Sequence, residues 1–299
     1  MFWEKMLWFF MALLCAALWA VSNIGDKVLV TKYAKSPLVA MAIPSLIGSL
    51  VLAPLAFAFG FSIPEPDLLA LYCFTVFIWM LGVLLYYRAM QEAEASRVSV
   101  AYNSLPIFTL ALAIVFLGET VSLLQFAGIV CLMLGAILVS FKKAGRIKIG
   151  KWALAVPISA ILLAADTVVS KYVLAGSDWW SLTVLRSFIF SAFLIIALPF
   201  YYKKIKAAIT EKPRVLAVAL SSETFYLTGR GAFMLSLSLG TASLVGAVTA
   251  IQPFFVLLFA VFLTKAFPSF LKEEIDKSHL AIKLAAVALA VAGAAMVSL

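Results

Sequence analysis

Charge is scarce in this sequence. Charged residues make up 12% of its 299 positions, while apolar types account for 65%. A soluble globular domain has about a quarter charged and about half apolar residues. The mean hydropathy of +1.11 points the same way. This composition excludes a soluble enzyme, a disordered chain and a secreted disulfide scaffold, and it predicts a membrane protein that crosses the bilayer several times.

Histidine and cysteine are also rare. The chain has one histidine, His279, and three cysteines, Cys15, Cys73 and Cys131, each inside an apolar run. No cysteine pair lies in a polar loop, and no Cys/His cluster has the spacing of a structural zinc site. The glycine-rich phosphate loop of an ATP-driven pump is absent as well. We therefore expect no metal, no cofactor and no catalytic residue.

Apolar runs divide the whole chain into ten candidate spans. A span needs about 20 residues, and helices satisfy the backbone polar groups that lipid cannot. The prediction is an all-α integral membrane protein with ten transmembrane helices. Spans 1 to 10 cover residues 6–25, 38–60, 68–88, 97–117, 121–141, 152–172, 179–202, 214–238, 241–264 and 279–298.

The basic residues predict the orientation. All but four of the 23 Lys and Arg lie in the loops that join spans 1–2, 3–4, 5–6, 7–8 and 9–10, or at the span ends beside these loops. By the positive-inside rule these loops are cytoplasmic, so both termini lie outside a multi-pass protein of the cell's inner (plasma) membrane. Basic loops of this kind face anionic lipid, and the net charge of +9 therefore does not indicate nucleic acid.

The second half of the chain repeats the first. The halves predicted are residues 1–145 with spans 1–5 and residues 146–299 with spans 6–10. Five spans is an odd number, so the second half must lie inverted in the membrane, as in many secondary transporters. Three pairs of segments carry the repeat: 95–113 with 242–260 at an offset of 147, which aligns Pro106 with Pro253; Asp26 to Tyr33 with Asp166 to Tyr172; and Gly135-Ala136 with Gly293-Ala294.

Several motifs resemble those of one transporter family. Tyr86-Tyr87-Arg88-Ala89-Met90, Ala95-Ser96, Leu105-Pro106, Leu117-Gly118-Glu119, Gln125 and Gly128 are similar to the pattern of EamA-type members of the drug/metabolite transporter (DMT) superfamily. The resemblance implies a ten-helix carrier for small organic metabolites, often an exporter or exchanger, with a cavity lined by spans 1, 3, 4, 6, 8 and 9. This chain departs from the pattern in its second half, where Thr264-Lys265-Ala266 replaces Leu-Gly-Glu, and in its loop charges, which have the opposite bias to many relatives.

Four charged residues lie inside spans and away from the span ends: Asp166, Arg186, Glu223 and Arg230. Each costs about 2.5–3.5 kcal/mol at a helix centre unless it faces a partner or water. At about 1.5 Å per residue, Asp166, Arg186 and Arg230 fall at one depth, and Glu223 lies about 10 Å further in. Glu223, Tyr226 and Arg230 have i, i+3, i+7 spacing and share one face of span 8.

Two interpretations of these charges are open. Two guanidinium groups can hold an anionic group of a substrate, and a carboxylate in a low-dielectric site can take up a proton near neutral pH. Alternatively the four charges, which sum to zero, neutralise one another and only hold the helices together. The repeat offsets place Leu46 and Val83 where Arg186 and Arg230 stand, so a charged site would be asymmetric.

Other polar and aromatic side chains are candidates for substrate binding. Asn103 and Gln252 lie next to Pro106 and Pro253, which interrupt helical hydrogen bonding. Amides of this kind also join helices to each other in membranes, so a purely structural role is open. Asp26 is a candidate gate residue near the inner end of span 1. Tyr86, Trp19 and Asn23 complete the set of predicted substrate-binding residues.

The favoured function is secondary active transport of a small organic metabolite, amino-acid-like or an organic anion, by alternating access with proton-coupled export or exchange. The alternative is a translocase for a phosphate-bearing lipid or lipid-linked metabolite. A membrane-embedded enzyme is disfavoured because large polar loops are missing, and a channel because no ring of like charges appears. The expected partners are a small-molecule substrate, protons and the bilayer, for a monomer or homodimer.

Overall fold

The structure is a computed structural model and describes residues 2–33, 36–92, 103–140, 152–266 and 280–299. Within these ranges every regular element is a helix. The α-helices are α1 Phe2–Val28, α2 Pro37–Phe59, α3 Pro66–Glu92, α4 Leu105–Leu117, α5 Leu123–Ser140, α6 Trp152–Val173, α7 Trp179–Ala197, α8 Tyr202–Glu211, α9 Arg214–Leu239, α10 Ala242–Thr249, α11 Gln252–Ala266 and α12 Leu280–Ser298. A π-helical turn, Leu29–Tyr33, extends α1.

Helix covers most of the described part of each of the ten predicted spans. In the described part of the chain, six segments are long and apolar enough to cross a membrane: Met6–Val28, Pro37–Phe59, Pro66–Tyr86, Ala155–Gly176, Trp179–Phe200 and Ala242–Phe259. Three further apolar helices, Leu105–Leu117, Leu123–Leu138 and Ala285–Ser298, are shorter. α9 is 26 residues long but less apolar, because it carries Glu223 and Arg230. The chain is therefore an all-helical, multi-pass membrane protein.

The structure differs from the prediction in the segment after span 7. The chain predicted as a basic loop forms α8, a helix of ten residues with Lys203, Lys204 and Lys206 exposed. Predictions for Ala95-Ser96, for the basic loop between spans 5 and 6, and for the polar stretch 272–277 lie outside the described residues.

Two proline-associated breaks occur at matching places. Ala250 and Ile251 separate α10 from α11, three and two residues before Pro253. Asn103 and Ser104 form a turn before α4, at the same distance from Pro106. Proline has no N–H, and i→i−3 hydrogen bonds such as Phe254 N to Ile251 O (2.9 Å) replace the helical pattern at one break. The breaks are 147 residues apart, which is the offset of the sequence repeat.

Equivalent helices also make equivalent contacts. α1 packs along α9, and α6, the repeat counterpart of α1, packs along α3, the counterpart of α9. Glycines allow both close approaches. A Cβ added at Gly229 would lie 2.7 Å from Trp19 Cδ1, and one at Gly82 would lie 3.2 Å from Leu162 Cβ. Gly82 and Gly229 are separated by the same offset of 147.

α5 and α12 cross each other through small residues. A Cβ at Gly135 would lie 3.0 Å from Ala286 O, and one at Gly293 would lie 2.7 Å from Gly128 O. Contacts that advance along α5 from 128 to 135 therefore retreat along α12 from 293 to 286, so these two helices run antiparallel. α5 is the last helix of the first predicted half, and α12 is the last helix of the second. Their antiparallel directions are therefore what two inverted halves require.

Candidate functional site

Three charged side chains from three helices meet inside the bundle. Asp166 of α6 accepts a hydrogen bond from Arg186 of α7, with 2.7 Å between Oδ1 and Nη1. The other carboxylate oxygen lies 3.7 Å from Nη1 of Arg230 on α9. All three side chains are about 96% buried or more. These are the residues that helix geometry placed at one depth, and we call them the arginine cluster.

The arginine cluster is not neutral. One carboxylate faces two guanidinium groups, so its formal charge is +1. Among the described residues, three of the guanidinium nitrogens are buried and have no hydrogen-bond partner: Arg186 Nη2, Arg230 Nε and Arg230 Nη2. Buried donors of this kind are costly when unsatisfied, the more so when charged. The cluster can therefore accept an anionic group that supplies the missing acceptors and charge.

Aromatic rings line the arginine cluster. The guanidinium carbon of Arg186 lies 4.5 Å from the ring centroid of Trp79, and that of Arg230 lies 5.2 Å from Phe233. The hydroxyl of Tyr72, a fully buried residue, donates to Leu182 O at 2.9 Å. Ring faces attract cations, so these contacts favour the charged guanidinium groups at this site. Trp79 is seven residues after Tyr72 on α3, so both share one helix face.

An aromatic pair adjoins this cluster. Trp19 of α1 stacks on Tyr226 of α9 with ring centroids 6.2 Å apart, and its Nε1 donates to Tyr226 O at 3.3 Å. Trp19 also touches Phe233 at 5.2 Å between centroids. On α9, Tyr226 lies between Glu223 and Arg230.

Glu223 stands apart from the two arginines. Of the four charges, Asp166 pairs with the two arginines, but Glu223 does not take part in this network. Glu223 is 7% exposed and has neither a hydrogen bond nor an ion pair within the described residues. It packs against Gly48 of α2, where a Cβ would lie 2.6 Å from Glu223 Oε1. The fold thus makes room for a buried carboxylate without giving it a cation.

A second carboxylate lies near Glu223. Asp26 of α1 is close enough to Glu223 for electrostatic interaction, and its Oδ1 accepts from Ser222 Oγ at 2.7 Å. Ser222 and Ser22 hydroxyls are 3.2 Å apart. Tyr86 is half-buried and within electrostatic range of Asp26. We call Asp26 and Glu223, with Ser222, the acidic cluster.

The remaining predicted site residues, Asn103, Gln252 and Asn23, are not among the contacts described for the arginine cluster or the acidic cluster. Asn103 is 6% exposed, lies at the break before α4 and has an interaction partner. Gln252 is half-buried at the start of α11, beside the other break. Asn23 is exposed. The structure therefore joins Asp166, Arg186 and Arg230, joins Trp19 to Tyr226, and places Glu223 and Tyr86 near Asp26.

Sequence reasoning missed the contributions of Trp79 and Ser222. A signal was available for Trp79, because the offset of 147 makes it the counterpart of Tyr226. Both are aromatic residues beside an arginine of the cluster. Ser222 is one of several serines in α9, and nothing in the sequence distinguishes the one that contacts Asp26.

Glu119 has a structural role at one end of the bundle. Its carboxylate accepts from Ala242 N at 2.6 Å, Ser243 N at 3.0 Å and Ser243 Oγ at 2.6 Å. It therefore caps the N-terminus of α10, where unpaired N–H groups and the helix dipole favour a negative charge. Lys171 lies nearby, with Nζ donating to Leu237 O at 2.7 Å.

The long apolar helices and the buried charges that they carry are typical of one class of protein. This class is the multi-pass helical membrane protein with a polar site inside the helix bundle. Comparison with known proteins shows which family the first part of the chain resembles. The sequence profile of the EamA-like transporter family matches residues 6–141, so this part of the chain is similar to that family. Members of that family are transporters and not enzymes.

Two further similarities extend the comparison. An uncharacterized protein of Methanocaldococcus jannaschii is 28% identical over 131 residues, which are 44% of this chain and 93% of that one. A solved crystal structure matches along almost the full length, with a TM-score of 0.70, 18% identity, and coverage of 99% of this chain and 98% of the other. At that identity the likeness concerns the fold alone.

Proposed function

We propose that this protein is a secondary active transporter for a small organic metabolite that carries an anionic group. The proposal depends on one observation: in the described part of the chain, one carboxylate faces two buried arginines, and three of their guanidinium nitrogens have no acceptor. Carboxylates and phosphates fit the planar donor fork of arginine. A purely structural ion-pair network would satisfy its donors, since unsatisfied ones cost stability.

Alternating access of two inverted halves, 1–145 and 146–299, is the proposed mechanism. Inversion is supported by the antiparallel crossing of α5 and α12, because counterpart helices of halves with the same direction would run parallel. The matching turns before Pro106 and Pro253 support the same arrangement, since non-helical backbone adjoins the binding site in many carriers. The relative of about half this length is consistent with a duplicated unit.

Proton coupling is the second part of the proposal, with Glu223 as the proton-binding group. A carboxylate that is 7% exposed and lacks a cation has reason to bind a proton when its site closes. The positive-inside rule places the lysines of α8 in the cytoplasm and both termini outside, in the cell's inner membrane.

A translocase for a phosphate-bearing lipid is the second candidate. It is favoured by an apolar groove of about 450 Å³ between α1, α9 and α11, lined by Ile24, Gly25, Ser222, Phe225, Phe259 and Phe262. Phe262 is 64% exposed, so the groove opens sideways, and Ser222 connects it to the acidic cluster. A lipid tail could occupy such an opening while its phosphate reaches the arginines.

Reconstitution into liposomes tests the proposal. We expect counterflow of a labelled organic anion such as octanoate, reduced about tenfold or more in Arg230→Gln, because a charge-assisted fork is lost. Arg214→Gln is the matched control, since Arg214 is exposed at the start of α9. Glu223→Gln should retain exchange and lose accumulation driven by a pH gradient.

Two outcomes would contradict the proposal. Folded Arg230→Gln, judged by its thermal midpoint, with undiminished anion counterflow would remove the arginine cluster from binding. Transfer of a labelled phospholipid between leaflets, without counterflow of any soluble anion, would replace it with the translocase.

A further inference from the structure

The acidic cluster contains negative charge that the fold does not compensate. Asp26 accepts a hydrogen bond from Ser222, which is neutral, and Glu223 accepts none within the described chain. Neither carboxylate forms an ion pair with a described lysine or arginine. Glu223 is 93% buried and Gly48 provides its space, so the site is built into the packing of α1, α2 and α9. An isolated buried carboxylate is costly and calls for a cation or proton.

The arginine cluster has the opposite imbalance on the same helix. Arg230 follows Glu223 by seven residues, a separation of about 10 Å along α9. The stacked pair Trp19–Tyr226 lies between the two clusters, at the position where α1 crosses α9. One end of this polar face therefore lacks an anion and the other lacks a cation, with aromatic surface between.

We propose that the substrate is dipolar, with an anionic group at Arg186 and Arg230 and an ammonium group at Asp26 and Glu223. The backbone positions of Glu223 and Arg230 are about 10 Å apart along α9, which sets the scale for the separation of the two groups. An ammonium group has three donors, which the two carboxylates and the Ser222 hydroxyl can accept. The linking part of the substrate lies against Trp19 and Tyr226. One of the two carboxylates remains available to hold a coupled proton. This inference rests on the proposed function and adds the second charged group and its distance.

The distance excludes α-amino acids from the best substrates, because their charged groups are adjacent. Linear ω-amino acids are suitable probes, since 8-aminooctanoate spans about 10 Å when extended and so matches seven residues of helix. Octanoate has the same carboxylate and length without the amine. Octanedioate replaces the amine with a second anion, and 4-aminobutanoate keeps both groups at a shorter spacing.

Calorimetric binding to the full chain in nanodiscs would test the inference. We expect 8-aminooctanoate to bind about tenfold more tightly than octanoate or 4-aminobutanoate, and octanedioate to bind weakest, as charge-assisted hydrogen bonds of this strength imply. Glu223→Gln and Asp26→Asn should each remove most of the advantage of the amine and leave octanoate binding intact. Glu211→Gln and Asp67→Asn, at exposed positions, are the controls.

The outcomes separate this inference from the function on which it rests. If octanoate and 8-aminooctanoate bind equally and Arg230→Gln abolishes both, the anion site stands and the dipolar substrate is wrong. If no probe binds, or if binding survives Arg230→Gln in a folded variant, the proposed function itself fails. An amine advantage that persists in both Glu223→Gln and Asp26→Asn would place the ammonium site elsewhere and overturn the inference.

Discussion

Asp26 and Asp166 occupy corresponding positions near the ends of α1 and α6, yet their surroundings are opposite. Asp166 is 2% exposed and faces two arginines. Asp26 is half-buried, is hydrogen-bonded to a serine and has a second carboxylate nearby. The helices around both aspartates pack in the same way, as the two glycine contacts of α1–α9 and α6–α3 illustrate.

The comparison shows that the features that pack the helices recur in both halves of the chain, whereas the buried charges do not. Helix packing depends on small residues and on proline breaks, and these recur at constant offsets. The charges do not recur, because Leu46 and Val83 stand in the first half where Arg186 and Arg230 stand in the second. Under the proposed function, a framework that recurs with charges that do not recur would present different charges to the two ends of a substrate.

The largest expected difference is between the stability losses of Asp166→Asn and Asp26→Asn. Asp166→Asn leaves two buried guanidinium groups without a counter-charge and should cost about 3–5 kcal/mol. Asp26→Asn keeps an acceptor for Ser222 and should cost less than about 1 kcal/mol. Unfolding of the protein in detergent micelles measures both.

Octanoate provides a second readout for this pair. It should stabilise Asp166→Asn more than the unaltered protein, because it replaces the missing anion beside the arginines. Equal losses of stability in the two variants would show that the two aspartates do not differ as described.

Glu119 sharpens the comparison at the ends of the helices. It caps α10 with three hydrogen bonds, whereas the repeat offset places Ala266 at the corresponding position of the second half. Glu119→Ala should cost about 1–2 kcal/mol, as for other lost N-caps, and Glu119→Gln less. Hydrogen exchange should increase at the first turn of α10. Unchanged exchange there, with the exposed Glu211→Ala as control, would contradict the capping role.

The sequence predicts the scaffold better than the site. Apolar runs predict the helices, and Pro106 and Pro253 predict both breaks, because these signals are local. Helix rise alone predicts that Asp166, Arg186 and Arg230 share a depth. It does not predict that Glu223 faces Gly48 or that Arg186 lies over Trp79, since these contacts depend on how each helix is rotated against its neighbours.

The paired glycines test whether the two equivalent interfaces tolerate the same change. Gly229→Ala places a Cβ 2.7 Å from Trp19, which is held by Tyr226 and Phe233, and should destabilise by about 1–3 kcal/mol. Gly82→Ala meets Leu162 at 3.2 Å and should be nearly neutral, because alanine gains about 1 kcal/mol of helix propensity. Thermal midpoints of both variants measure the difference, and a larger loss for Gly82→Ala would reverse the assignment.

The smallest expected effect compares the starts of α7 and its counterpart α2. Asp178 caps α7 by accepting from Ser181 N at 2.9 Å and from Ser62 Oγ at 3.3 Å, whereas Ser36 makes no side-chain cap at α2. Burial raises the pKa of Asp178, but the hydrogen bonds from Ser181 and Ser62 have the larger effect and hold the pKa below its usual value.

A carboxyl group with a lowered pKa contributes stability above about pH 4, where the carboxyl of the unfolded chain is ionised. That stability is lost as the pH falls through the lowered pKa. Because Asp178 is exposed, solvent screening limits the effect to about a few tenths of a kcal/mol. Asp178→Asn should remove this part of the acid-dependent loss of stability, while Asp67→Asn, at the exposed start of α3, should not. Identical acid profiles for the two variants would mean that the cap at α7 makes no acid-dependent contribution to stability.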